Sequence, residues 1–279
     1  MNARSALFDL YGDHLRPRGG QAPVACLVRL LAPLGVAAPA VRTAVSRMVR
    51  QDWLDPVRLD EGPGYRLTPR AVRRLDDSAA RIYRTRDYAW DGTWHLLVTS
   101  PPADRARRDR LRTGLVFLGY APLADTTWVG PRASGEVDAL LAAEGVRADR
   151  FTARHDGDSA GLVRRAWDLD GLSRSYARWH EQAMDLLGHP ARPGDDASGD
   201  DASGDSASGQ DERDYAARSR LVHEWRKFLF LDPGLPRELL PGDWAGEKAA
   251  DFFDVENERL MPGATRFVER CLLFPGGAS

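Results

Sequence analysis

Hydrophobic residues recur with helical spacing along the first fifty positions, and one stretch organises the rest. Between Ala38 and Trp53 they fall at Val41, Ala44, Val45, Met48 and Val49, the i, i+3, i+4, i+7, i+8 pattern of one buried helix face. The opposite face carries Arg42, Thr43, Ser46, Arg47 and Arg50, with no acidic residue before Asp52. A solvated face ordinarily mixes charge signs, whereas these side chains reach phosphate oxygens and base edges. The pattern predicts the recognition helix of a helix-turn-helix. Upstream, Leu7, Leu10, Tyr11 and Leu15 predict a helix over 5–15 that Pro17 to Gly20 breaks. Val24, Leu27, Val28 and Leu31 predict a second, with Pro23 near its first turn and Pro33 and Gly35 at its end. Two short helices, a glycine turn and a basic-faced helix follow helix-turn-helix order.

After Trp53 the period shortens. Trp53–Leu59 and Tyr65–Leu67 read as strands around the turn Asp60-Glu61-Gly62-Pro63-Gly64, a β-hairpin wing. Arg58 and Arg66 on it are candidates for phosphate or minor-groove contact, with Asp60 and Glu61 opposing at the tip. Thr68 and Pro69 open another helix as cap and first residue, running on Val72, Leu75, Ala79 and Ile82 to about Arg84. Residues 1–86 thus form a winged-helix domain.

Alternating and helical segments then succeed one another between 90 and 158. Trp94–Val98 is a strand, Ala103–Leu118 a helix through Leu111, Leu115 and Leu118, and Tyr120–Leu123 and Thr126–Val129 are short strands. Gly135–Glu144 is a helix through Val137, Leu140 and Leu141, and Arg150–Arg154 a last strand. The order βαββαβ predicts a ferredoxin-like sandwich, so the fold class is α+β. The first of these helices carries Arg105, Arg107, Arg108, Arg110 and Arg112, a solvated face or a second phosphate-binding surface.

Residues 159–189 are helical over Leu162–Leu187, with Trp167, Tyr176 and Trp179. The five-residue repeat GDDAS-GDDAS-GDSAS-G at 194–209 holds no large apolar residue, which predicts a disordered acidic linker over 190–213. A carboxy-terminal helical domain, 214–279, opens with a helix over Tyr215–Leu231 through Leu221, Val222, Trp225, Phe228 and Leu229. Asp232-Pro233-Gly234 turns it, Leu235–Trp244 connects, and two more helical runs flank Pro262-Gly263. His223, Arg226 and Lys227 share one helical face, either wet surface or the anion-binding wall of a ligand pocket.

Charge sharpens this reading. The net charge is −2, yet residues 1–90 hold 15 Arg and no Lys against 9 acidic residues, an excess of +6 offset by −8 in the remainder. A basic amino-terminal module on an acidic remainder suits a protein that presents one end to a polyanion. Cys26 and Cys271 lie in apolar helical patterns, which supports neither a disulfide framework nor a zinc site. With no long apolar run and no secretory leader, a cytoplasmic protein with no membrane partner is expected.

At this point the chain resembles the PaaX-like transcriptional regulators, the repressors of phenylacetic acid degradation. The matching stretches are SALFDLYGDHLRPRGG at 5–20, LVRLLAPLGVAAPAVRTAVSRMVRQDWL at 27–54 and GYRLTPRAVRRLDDSAARIYR at 64–84. WDGTWHLLV at 90–98, RAWDLDGL at 165–172 and LVHEWRKFLFLDPGLPRELLPGDWAG at 221–246 continue in order. The resemblance implies winged-helix, central ferredoxin-like and carboxy-terminal helical domains. It also implies a homodimeric repressor released from double-stranded operator DNA by an aryl-CoA thioester, phenylacetyl-CoA in the namesake members. For the effector, His223, Arg226 and Lys227 offer cations to CoA phosphates, and Trp167 and Trp179 offer indole faces to an aryl group. No resident cofactor or metal is expected.

Two other functions are compatible with parts of the chain. A metal-dependent nuclease on the ferredoxin-like domain would need a carboxylate at the end of its first strand, where WHLLV runs instead into Thr99-Ser100-Pro101-Pro102. No G-x-S-x-G, P-loop or H-E-x-x-H motif occurs, so a non-enzyme is expected. The other is an RNA-binding or purely structural winged-helix adaptor, and a protein-binding face would expose aromatics and Met where this chain has Arg, Thr and Ser. The expected DNA contacts are therefore Arg42, Thr43, Ser46, Arg47, Arg50, Arg58 and Arg66, with Arg4, Arg16 and Arg18 positioning the backbone.

Overall fold

The computed structural model describes residues 1–82, 90–188 and 204–273. They divide into two compact units. One draws on Met1–Thr85, Arg178–Arg226 and Ala249–Ser279, the other on Arg86–Ala177 and Lys227–Lys248.

The first unit begins with α1 (Ala3–Leu10), continues through one π-helical turn, Tyr11–Leu15, and closes on Gly19 and Gly20, both in the left-handed region. Strand β1 (Gln21–Pro23) precedes α2 (Val24–Leu31), and Pro23 ends the strand as the residue before the helix. Gly35, left-handed, turns the chain into α3 (Ala38–Arg50). The axes of Val24–Leu34 and Ala38–Arg50 are bent by 119°, within the range of a helix-turn-helix. Asp52 in the left-handed region stops α3. Thr68 then donates its hydroxyl to the Asp52 carbonyl (2.9 Å) and caps α4 (Pro69–Ile82) by accepting from the Ala71 N–H (3.1 Å). The expected end of that helix, near Arg84, lies outside the described residues.

The wing is β2 (Leu54–Leu59) and β3 (Gly62–Leu67), with β1 on the far side of β3. Its turn is shorter than the sequence suggests, because Gly62, Pro63 and Gly64 are strand residues. Gly64 is required there: a Cβ would sit 2.7 Å from the Ala22 carbonyl oxygen and 2.7 Å from Leu59 Cδ1.

Part of the carboxy-terminal helices packs into the core of the amino-terminal ones. Tyr215, Ala264, Val268 and Cys271 belong to the same buried cluster as Leu7, Leu10, Tyr11, Leu27, Val41 and Met48. Helix α9 (Gly204–Trp225) starts well inside the segment expected as linker, and residues 189–203 lie outside the described residues. What orders its first turns is Asp211, which accepts from Arg266 (2.8 Å) and Arg270 (2.5 Å) of α11 (Ala245–Leu273). Helix α11 runs unbroken through Pro262, where two helices were expected. Phe253, Leu260, Ala264, Val268 and Cys271 keep one buried stripe across the proline while Pro262 itself is exposed. Packing along that stripe outweighs the missing N–H.

In the second unit the sheet order is β5-β6-β4-β7, all antiparallel: β4 (Thr93–Thr99), β5 (Ala121–Ala124), β6 (Thr127–Gly130) and β7 (Ala148–Arg154). With α5 (Arg105–Phe117) and α6 (Val137–Glu144) on one face, this is the ferredoxin-like βαββαβ arrangement. Strand alternation sends Leu97 and Trp128 toward the helices, where Leu111, Leu115, Val137 and Leu141 cover them. Trp94, Leu96, Val129 and Ala153 share the opposite face. The helical stretch after β7 is two helices, α7 (Ser159–Ala166) and α8 (Leu169–Leu186), because Asp168 interrupts it and caps α8 through the Gly171 N–H (2.8 Å). A further break at Arg226-Lys227 separates α9 from the single turn α10 (Phe228–Leu231).

Candidate nucleic-acid interface

Helix α3 buries Val41, Ala44, Val45 and Met48 and exposes Arg42, Thr43, Ser46, Arg47 and Arg50. Two contacts fix its pose. Phe8 of α1 meets Trp53, just beyond the helix, edge to face at 4.4 Å, and Tyr11 donates its hydroxyl to the Tyr65 carbonyl on the wing (3.0 Å). Burial drives the Tyr11 phenol pKa upward, which keeps it a neutral donor. Thr43 and Ser46 donate their hydroxyls to the Pro39 (2.9 Å) and Arg42 (3.0 Å) carbonyls one turn back. Each keeps lone pairs, and can rotate toward an incoming phosphate or base. Among the described residues, Arg42, Arg47 and Arg50 form no ion pair. Three guanidinium groups without carboxylates on one helix face can neutralise phosphates or bind a guanine edge bidentately.

The other expected contacts separate into groups. Arg58 and Arg66 are both exposed, but the hairpin register puts them on opposite faces: Arg58 pairs with Pro63, whereas Arg66 pairs with Asp55. One backbone cannot receive both from the same side, since strand side chains alternate. Arg16 is ion-paired with Asp76, and Arg18 with Glu269 at 3.6 Å, so neither is unengaged. Arg4 lies over the Phe8 ring at 5.5 Å. On α5, Arg107 and Arg110 are engaged with Asp104 and Glu144, and Arg105 approaches Asp109, which favours the solvated-face reading over a second phosphate surface.

The residues expected to hold an effector are divided between the units, Trp179, His223 and Arg226 in the first and Trp167 and Lys227 in the second. His223 Nδ1 lies 2.7 Å from Asp9 Oδ2, and the Arg226 guanidinium donates to the other oxygen of the same carboxylate. Their charge thus ties α9 to α1 instead of facing a ligand. Lys227, like Arg226, lies in the turn between α9 and α10. Trp179 packs among Trp225 and Phe253 (4.7 and 6.3 Å between ring centres) in the first unit, while Trp167 stacks on Trp94 in the second (6.1 Å).

A set of buried polar residues escapes a periodicity reading. Arg218 is fully buried, ion-paired with Asp13, and its Nη1 lies 3.3 Å from His14 Nε2. A signal for it exists: Asp9 and Asp13 stand at i and i+4 beside the apolar stripe of the first helix. Like charges so placed repel unless cations are packed against them.

Among the described residues, no group of three or more His, Cys, Asp or Glu could hold a metal ion, and no single helix is long and apolar enough to cross a membrane.

Comparison with known proteins agrees along the chain. Residues 2–71 match the family described as PaaX-like protein, 87–162 the PaaX protein central Cas2-like domain, and 167–270 the PaaX-like protein C-terminal domain. The transcriptional repressor PaaX of Escherichia coli (strain K12) is 29% identical over 277 residues, covering 96% of this chain and 83% of that protein. A solved structure, the uncharacterized protein Rv0674 from Mycobacterium tuberculosis, is similar with a TM-score of 0.60 and 27% identity, over 97% of this chain and 98% of that one. Matched in order by all three domains, and carrying the winged helix-turn-helix and ferredoxin-like sheet just described, the chain belongs to the PaaX-like family.

Proposed function

We propose that the protein is a DNA-binding transcriptional repressor that works as a homodimer on an inverted-repeat operator and is released by an aryl-CoA thioester. The observation that carries the DNA-binding part is the α3 face: Arg42, Arg47 and Arg50, exposed and without ion-pair partners among the described residues, flanked by Thr43 and Ser46. Similarity to a repressor over most of both chains supports the direction of regulation. Each protomer offers one α3 to one major groove, so half-site spacing follows the separation of the two reading heads. Val98 and Phe151, exposed on the sheet of the second unit, supply apolar surface for self-association. The thioester is the effector class that the family resemblance brings. It acts only if it binds one dimer geometry more tightly than the other.

The test is fluorescence anisotropy with DNA from upstream of the protein's own coding region, at two salt concentrations, with and without phenylacetyl-CoA. Competitor-resistant, salt-sensitive binding that the thioester weakens is expected. Binding indifferent to the thioester removes the effector and keeps the DNA reader. No specific binding to any upstream fragment overturns the repressor.

A further inference from the structure

The second unit contains a cavity of about 640 Å³ between the sheet face opposite α5 and α6 and the helix α7. Its volume lies within the range of small-molecule sites. Trp94, Leu96, Val129 and Ala153 form an apolar floor, as strand alternation requires, and Leu162 and Ala166 of α7 form a wall. Pro122 and Leu123 of β5 add to the apolar lining, and Arg154 and His155 at the end of β7 and Arg165 on α7 supply its cationic and titratable part.

The charges there are only partly engaged. Arg154 donates to the Asp91 backbone carbonyl at a long 3.4 Å. His155 Nδ1 lies 3.4 Å from the Ser159 hydroxyl. On α7, Arg164 is paired with Asp158 (3.1 Å), whereas its neighbour Arg165 forms no ion pair among the described residues. Trp94 is 2% exposed, yet its indole Nε1–H has no acceptor among the described residues, and neither has that of Trp167, which stacks against it. A buried donor left without an acceptor is destabilising, and Trp94 lines the cavity, so a ligand oxygen that reached this N–H would offset that cost.

We infer that this cavity is the effector site, and that it takes an aryl or short acyl group joined to an anion: the apolar group on the Trp94–Leu96–Val129 floor, the anion against Arg154 and Arg165. The word effector rests on the repressor reading above; the ligand chemistry rests on the cavity alone. Both a free aryl carboxylate and an aryl-CoA thioester have this chemistry, and the experiment separates them.

The full-length protein is titrated calorimetrically, without DNA, with phenylacetyl-CoA, phenylacetate and coenzyme A in turn. One site per chain for an aryl compound is expected: the thioester if the rim reads CoA phosphates, the free acid if it reads a carboxylate. The double variant Arg154→Glu/Arg165→Glu alters exposed side chains only, so its thermal melt stays that of the wild type while affinity falls at least tenfold. Leu96→Trp, which fills the floor, abolishes binding by the apolar route. Equal affinity in wild type and both variants overturns the assignment, as does the absence of binding by either aryl compound. The same variants are then tested on operator DNA, where unchanged affinity with loss of ligand-induced release is expected. A wild type that binds an aryl ligand here but no operator defeats the repressor reading and leaves the site standing.

Discussion

Asp9 and His223 are 214 positions apart in the chain, and their side chains meet at 2.7 Å. With the Arg226 guanidinium on its second oxygen, the Asp9 carboxylate joins α1 to α9. Cations that look available to a ligand in the sequence are in this way part of the scaffold that holds α3.

Replacing Asp9 with Ala leaves an imidazole and a guanidinium partly buried without their anion. Breaking one side of such a pair costs about 3 kcal/mol or more. Urea unfolding is expected to show that loss, with operator affinity falling as α1 loosens against α3. A change below about 0.5 kcal/mol, the range of an ordinary surface substitution, would mean the pair does not hold the domain together.

His14 makes stability depend on acid. Burial lowers its pKa from 6.5 to about 4, with Asp13 opposing the shift and Arg218 adding to it. Above pH 6.5 the imidazole is neutral in both states and contributes nothing to the pH dependence. Between 6.5 and 4 the unfolded chain takes up a proton that native His14 refuses, so stability falls as pH drops, by roughly 3 kcal/mol in full. The Asp9 carboxyl, raised by burial, shifts in the opposite sense but is common to both proteins in the comparison. His14→Gln should therefore show a shallower loss of stability between pH 7 and 4.5. Parallel curves would show that His14 is not the sensor.

Gly64→Ala inserts a methyl group between β3 and the Ala22 carbonyl. Overpacking of this kind costs about 1–3 kcal/mol, and it falls on the ladder that anchors the wing. Hydrogen exchange should speed up selectively in β1 and β3. Unchanged protection across both strands would contradict the close approach.

Arg47→Ala and Arg50→Ala should each weaken operator binding about tenfold, the effect of losing one guanidinium contact, with no change in melting temperature. The salt dependence distinguishes their roles. A residue on phosphate lowers the slope of log affinity against log salt by about one, whereas one on a base edge relaxes sequence preference. Loss of neither affinity nor slope in the double variant would move the interface off α3.

Local features were legible from the sequence wherever one face of an element is wet and the other dry. The periodicity of Val41, Ala44, Val45 and Met48 defined α3 and its exposed arginines, and the βαββαβ order defined the central sheet. Both depend on spacing along the chain, which is printed in it. Interactions between distant segments were not. Arg218 reads as a surface residue until Asp13 is folded against it, and the acidic segment at 204–213 reads as linker until Arg266 and Arg270 of α11 meet Asp211. Helix α11 passes through Pro262 because its buried stripe packs continuously. A charged side chain is wet or buried according to its partner, and the partner is chosen by the fold. The sequence thus determined the basic, carboxylate-free face of α3, and tertiary structure decided which other charged side chains are paired and buried.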